Sequence, residues 1–487
     1  MKRNFKFLVA AMLLVLALAF TAACTGNGDD PAPPDQPTVE TTPEPPPPPS
    51  DDDDDDDEVV EDVPARDLGG IEIVIGNWWG YYDTDTYEPS TAQAEARLED
   101  RIYVEQRYNF RIREVRMGGW GEVRDMIPIE IASGSRDVHV WLMQPDWFAT
   151  MHAQNMFNPI PDNLFGEGIN WMQSAIDGTR RDGQAHGWAT GLIEGGGIYF
   201  NMRLLEEAGI DPQLPFDLQL RGEWTWDALT ELLIQTTRDL TGDGLMDTWG
   251  MASFSVDMLE RAVASNGAMY IDVDPATGEF LNATTRPEFI EALTWVNQLQ
   301  DLGVLMERPE GAEWNFFVDA FNNAQVAFRS AGSYVAGAQI NPNLDDPWGF
   351  VAFPLGPRAT THQMMGNANL SAIPINFSAE EVEAIMFAIN QWSRPMPEWD
   401  DPDAWMAGAF TNHYHPRSVE ETMAMITRAP GHVRPSFHGL VPGRIPGLAG
   451  ELFAWEMWHG HDPAYIIENA QPTWLEYLAR GNAGIVD

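Results

Sequence analysis

Apolar and polar residues alternate through Ile71-Glu-Ile-Val-Ile75, a β-branched run halted by Gly76-Asn77-Trp78-Trp79-Gly80. That pattern predicts a short strand ending in a loop. Helical spacing follows over 92–108, and Asn109 to Val115 predicts a second strand. Arg124 to Ala132 predicts a helix, Asp137-Val-His-Val-Trp-Leu142 a buried-type strand, and Trp147 to Asn155 a further helix. Strands alternating with helices at this pitch predict an α/β domain with a largely parallel sheet. Such sheets bind ligands beyond the carboxyl ends of their strands, which directs attention to Trp78 to Tyr82 and to Gln144 to Trp147.

Downstream, the strand-like run Gly197-Ile-Tyr-Phe-Asn201 leads into a helix from Met202 to Ala208, closed by Gly209. Glu223-Trp-Thr-Trp-Asp-Ala-Leu229 opens another, with Thr225 as its cap. Helices follow over 286–302, 314–323 and 379–393, with less regular ones to the end and no internal repeat. This reads as one α/β lobe followed by a helix-rich second lobe.

Charge and composition remove several chemistries. The 487 residues carry a formal net charge of −46. From residue 67 onward, 24 Arg stand against 59 Asp and Glu, a net of −35, which repels phosphate backbones and argues against nucleic acid as the main partner. Lysine occurs only at Lys2 and Lys6, so the exported part has no Schiff-base, P-loop or kinase-type lysine. With Cys24 the sole cysteine, disulfides within the chain, cysteine zinc sites and iron–sulfur clusters are excluded.

Lys2, Arg3 and Lys6 precede an apolar run from Phe7 to Phe20 and then Thr21-Ala22-Ala23-Cys24, a secretory signal over 1–23. The placement of Cys24 resembles a bacterial lipobox, with Thr21 where leucine is usual, and implies a lipid attached to Cys24. An uncleaved membrane anchor is the alternative. Either form holds an exported chain at the cell membrane, facing outside. Residues 24–66 read as a disordered Pro/Asp-rich tether. The ten prolines of 31–49 favour extended backbone and the seven aspartates Asp51 to Asp57 repel one another.

Several stretches carry a family likeness: Ala132-Ser-Gly-Ser-Arg-Asp-Val-His-Val140, Gly197 through Asn201 to Glu206-Ala-Gly-Ile-Asp-Pro212, Trp224-Thr-Trp-Asp-Ala-Leu229, Ala324-Gln-Val-Ala-Phe328 with Gly332-Ser-Tyr334, and Phe353-Pro-Leu-Gly-Pro357. In this order they resemble the maltose-binding type of extracellular solute-binding protein serving ABC importers, solute-binding family 1. The resemblance implies an α/β, two-lobe hinged periplasmic-binding-protein type II fold, a Venus flytrap with a helix-rich second lobe. It implies an N-terminal lobe over 67–190 plus 327–373 and a C-terminal lobe over 191–326 plus 374–487. Crossings are expected near Ala189–Glu194, Gln325–Arg329 and Ala368–Pro374. Such a protein closes on a solute and presents it to a membrane permease.

Nineteen tryptophans suit a sugar, whose apolar ring faces stack on aromatic planes while its hydroxyls meet carboxylates and amides; the same side chains also fill cores. Position makes Trp78, Trp79 and Tyr81 candidate ligand contacts. The resemblance adds Asp146 and Trp147 after the Val138–Leu142 strand, Trp188 and Glu194 at the first crossing, Tyr334 where the family has tryptophan, and Asn367 and Asn369 at the last crossing. Separately, Asp239, Thr241, Asp243 and Asp247 fall at positions 1, 3, 5 and 9 of a loop spaced like an EF-hand, but position 12 is Gly250. A structural calcium there needs another carboxylate, and a plain Asp/Gly turn is the alternative. No other cofactor is expected.

A secreted polysaccharide-degrading hydrolase is the rival reading. It needs two carboxyls about 5–10 Å apart, a spacing that sequence neither shows nor excludes. No G-x-S-x-G or H-E-x-x-H motif occurs, and the pairs His413/His415 and His459/His461 sit in polar, Gly- and Pro-rich stretches. The expectation is a non-enzymatic binder of an oligosaccharide, with peptides or polyamines open.

Overall fold

The run beginning at Ile71 forms the central strand of a five-stranded sheet. In the computed structural model the described residues are 66–483, apart from 182, 191–194, 275, 276, 278, 367, 397–404, 429–432, 436–440 and 442–448. The chain divides into Met1–Asp62 and Val63–Asp487, and the folded elements lie in the second unit.

Nine strands build its two principal sheets: β1 (Ile71–Asn77), β2 (Tyr82–Asp83), β3 (Phe110–Arg116), β4 (Val140–Met143), β5 (Gly196–Asn201), β6 (Trp249–Met251), β7 (Val326–Gly332), β8 (Trp348–Ala352) and β9 (Leu370–Ala372). The first sheet runs β9-β4-β1-β3-β2 and the second β8-β5-β7-β6. β1 is parallel to β3 and β4, while β9 runs antiparallel to β4. β5 is antiparallel to β7 and β8, and β6 is parallel to β7.

Both faces of the first sheet are covered, as a parallel core requires. Ile73, Ile75 and Ile112 are buried with Val382, Ile385 and Met386 of the helix Ala379–Ser393. On the other face Trp141 and Met143 are buried with Val123, Ile127 and Ile131, spaced at helical intervals along Trp120–Ser133. Local chemistry sets the helix bounds. The Thr91 hydroxyl accepts from the Ala94 N–H at the start of Ala92–Tyr108, and Asn109 ends it at φ 53. In the second lobe Thr225 caps Trp226–Thr236, as its spacing predicts. The last residues belong here: Trp474 and Phe453 are buried with Tyr270 and Phe289.

The lobe boundaries differ from those the resemblance implies. β7 and β8 lie in the second sheet, and only β9 joins the first, so most of 327–373 belongs to the second lobe and no crossing occurs near Gln325–Arg329. The helix Ala379–Ser393, expected in the C-terminal lobe, packs in the first lobe's core. The crossings fall between Thr190 and Gly196, between Gly366 and Leu370, and after Ser393. All seven residues of β7 are buried. A strand buried on both faces carries no mark of which sheet it joins.

Candidate functional site

Strand pairing fixes which ends of the two sheets meet. Leu370 opens β9 opposite Met143, the last residue of β4, and Trp188 bridges Ser371. The first two crossings therefore meet the first lobe at the carboxyl ends of its parallel strands. Gly196 opens β5 opposite Gly332, the last residue of β7. The parallel β6 and β7 thus end where the chain enters, and these two sets of strand ends carry the candidate site.

On the first lobe the strand ends carry a chain of indoles. Trp79 stands edge-on to Trp78 at 4.7 Å, Trp78 tilts on Trp147 at 5.0 Å, and Trp147 meets the edge of Trp120 at 5.2 Å. The buried Asn77 carboxamide holds the loop by accepting from the N–H groups of Trp79 and Gly80. Trp147 is 3% exposed, whereas Trp79 and Trp120 are 48% and 44% exposed. Trp147 is thus core and braces the exposed rings from beneath rather than meeting a ligand. Its indole N–H has no hydrogen-bond partner among the described residues. Arg124 lies 5.5 Å from the Trp120 ring and donates to Asp125 at 2.7 Å; that bond first, and the Asp146 charge least, raise its pKa. Tyr81 is exposed, its hydroxyl toward the Arg116 carbonyl at 3.4 Å.

The second lobe answers with its own aromatic groups. Tyr334, exposed, lies two residues beyond β7. Phe254 follows β6, and Trp314 stands edge-on to it at 5.9 Å and to Phe317 at 6.2 Å. A hollow of about 280 Å³ opens here, lined by Phe254, Arg308, Trp314, Trp455 and His459 among others. At the crossing itself the Arg261 side chain lies across Gly196 and pairs with Asp257 at 3.1 Å. Arg329, almost fully buried, donates to Gln339 at 2.6 Å, and desolvation lowers its pKa.

Other expected residues fall elsewhere. Trp188 is buried in the first lobe's core and presents no face to a ligand. Glu194 and Asn367 lie outside the described residues, as does Cys24; Asn369 is exposed at the second crossing. In the Asp239 loop the carboxylates turn to the backbone. Asp239 accepts from Gly242 and Gly244, and Asp247 from Leu240 and Thr241. No group of three metal-ligating side chains occurs among the described residues. No described helix is long and apolar enough to cross a membrane.

Sequence reasoning missed Trp120, Phe254, Trp314 and Trp455. Trp120 follows Gly118-Gly119 after a strand, the signal that singles out Trp78, and was legible. Trp314 and Trp455 become site residues only through tertiary packing.

A family model for bacterial extracellular solute-binding protein matches residues 85–384. Among solved structures, UgpB from Mycobacterium tuberculosis in complex with glycerophosphocholine has TM-score 0.57 at 17% identity, over 84% of this chain and 99% of that one. The GacH receptor of Streptomyces glaucescens, solved unliganded and with acarbose, has TM-score 0.56 at 12% identity, over 84% and 98%. The maltose/maltodextrin-binding domain MalE from Bdellovibrio bacteriovorus, bound to maltotriose, has TM-score 0.55 at 13% identity, over 84% and 100%. At these identities the likeness is one of fold. No curated protein matches the sequence.

Proposed function

The chain belongs to the bacterial extracellular solute-binding protein family, and from that premise we propose that it captures an oligosaccharide between its lobes and delivers it to an ABC permease. The observation that carries the ligand class is the set of exposed aromatic faces on the two lobes: Trp79 and Trp120 on the first, Tyr334, Trp314 and Trp455 on the second. Sugar rings stack on such faces, and Arg124, Asp146 and Arg308 stand beside them for hydroxyls. The acarbose and maltotriose held by two proteins of similar fold support this reading. The protein acts as a binder and not as an enzyme, held outside the cell by a lipid at Cys24.

The test follows melting temperature and tryptophan emission of the unit Val63–Asp487 against oligosaccharides, peptides, polyamines and glycerophosphodiesters, with product assayed in the same wells. A ligand at ~100 times its Kd adds about 2.7 kcal/mol of stability. An upward shift with one sugar class and no product is expected. Sugar cleavage would overturn the binder reading, and a shift confined to another ligand class would discard the oligosaccharide.

A further inference from the structure

The hollow of about 280 Å³ beyond the carboxyl end of β6 differs in charge from the rest of the chain. From residue 67 onward acids outnumber arginines 59 to 24, yet no Asp or Glu lines this hollow, whereas Arg308 and His459 do. Arg308 donates to the Ala312 carbonyl at 2.8 Å and has no carboxylate partner among the described residues. Glu307, Glu310 and Glu313 flank it in sequence, and none of them faces the hollow.

Two further sources of positive potential meet there. The helix Ser255–Ser265 starts in the wall, with Ser255 among the lining residues. Its N-cap is Phe254, which has no side-chain oxygen to cap it, so the first N–H groups keep their capacity to meet an anion. The acid of that first turn, Asp257, is held by Arg261 at 3.1 Å and does not line the hollow. Beside Phe317, another lining residue, lies Arg329, only 2% exposed. Its guanidinium is 5.4 Å from the centre of the Phe317 ring and donates to Gln339, while its Nε and Nη1 have no partner among the described residues. A buried cation without a counter-ion is costly, and in a medium of low dielectric its field reaches the neighbouring space with little screening.

We propose that this hollow takes an oxyanion borne by the sugar, a carboxylate or a phosphate ester, so that the ligand is an acidic carbohydrate. This rests on the carbohydrate reading above and narrows it. A neutral pyranose would stack on Trp314 and accept from Arg308, but would leave the charge of Arg329 uncompensated. An oxyanion meets the helix start, Arg308 and the field of Arg329 together. The acids elsewhere on the chain do not prevent this, because physiological salt screens exposed charges beyond about 8 Å.

The test is calorimetric titration of Val63–Asp487 with neutral disaccharides, with the uronates of the same linkage and with the corresponding phosphate esters. The acidic member of a set should bind at least about tenfold tighter than its neutral parent. Arg308→Gln, at an exposed position, and separately Arg329→Met should each cut that preference at least about threefold. The readout is the ratio of the two affinities, which a general loss of binding or stability leaves unchanged. A preference for the uronate or for the phosphate ester supports the proposal and names the source of the oxyanion. Equal affinities for neutral and acidic members, or a preference that survives both variants, would overturn it. If no sugar of either kind binds, the carbohydrate reading fails and this proposal with it, whereas neutral sugars that bind as tightly as their acidic counterparts sink only this extension.

Discussion

Replacing Gly196 with alanine probes the crossing directly. A Cβ built there overlaps the Arg261 guanidinium at Nη1 and Cζ and stands 2.7 Å from Nη2, so the side chain must leave its place. Arg261 is only 11% exposed and holds Asp257 at 3.1 Å. Losing that i,i+4 ion pair costs about 0.5 kcal/mol, and displacing a guanidinium this little exposed adds about 1–2, about 2 kcal/mol in all. Urea unfolding should show a lower midpoint at unchanged slope. Gly121→Ala is the control, because nothing lies within 4 Å of its Cβ; it should be neutral or slightly stabilising. Arg261→Ala removes the obstacle, so adding Gly196→Ala to it should cost under about 1 kcal/mol. A Gly196→Ala protein as stable as its parent, or strict additivity with Arg261→Ala, would refute the reasoning.

Three further outcomes follow from other sites. Trp120→Ala and Trp314→Ala should each weaken sugar binding about tenfold while moving stability by less than about 1 kcal/mol, since the residues are 44% and 63% exposed; unchanged titrations would remove them from the site. Burial, then the charges of Arg181 and His186, lower the pKa of His152 from 6.5 to about 3. The unfolded chain then holds the extra proton between those values, so stability should fall by about 2 kcal/mol from pH 8 to pH 5. His152→Phe should flatten that pH dependence by one proton, and an equal slope in the two proteins would contradict it. EDTA should move the melting temperature by less than about 1 °C, because the Asp239 loop satisfies its own carboxylates; a drop that calcium restores would show a metal there.

Local chemistry was legible where neighbours in sequence decide it. Thr225 caps its helix, Gly209 follows the helix Met202–Glu207 at φ 75, and the spacing over 92–108 matches Ala92–Tyr108. Exposure was not. Trp188 and Trp79 both adjoin glycine, yet one is 3% exposed and the other 48%, because Trp188 bridges Ser371 inside the sheet while Trp79 lies past its end. The Asp239 loop shows the same limit. Its spacing is that of a cation loop, but without an acid at Gly250 the carboxylates close on their own N–H groups.

The two halves of the site are anchored in separate cores, and this bears on how binding is coupled to stability. Trp147 packs with Val123 and Ile127 of the first lobe, and Trp314 leans on Phe317, which belongs to a core of the second. Each aromatic surface is therefore held in place without ligand and without the other lobe, so binding need not order the site and costs mainly the hinge movement. Truncating a rim indole should then lower affinity with the fold intact. The crossing is different: Gly195 is pressed against Ile426 and Met364, and Gly196 against Arg261, with the second-lobe core and the hinge meeting at one pair of residues. Substitutions there should change stability and affinity together, and that joint response distinguishes a hinge residue from a ligand contact.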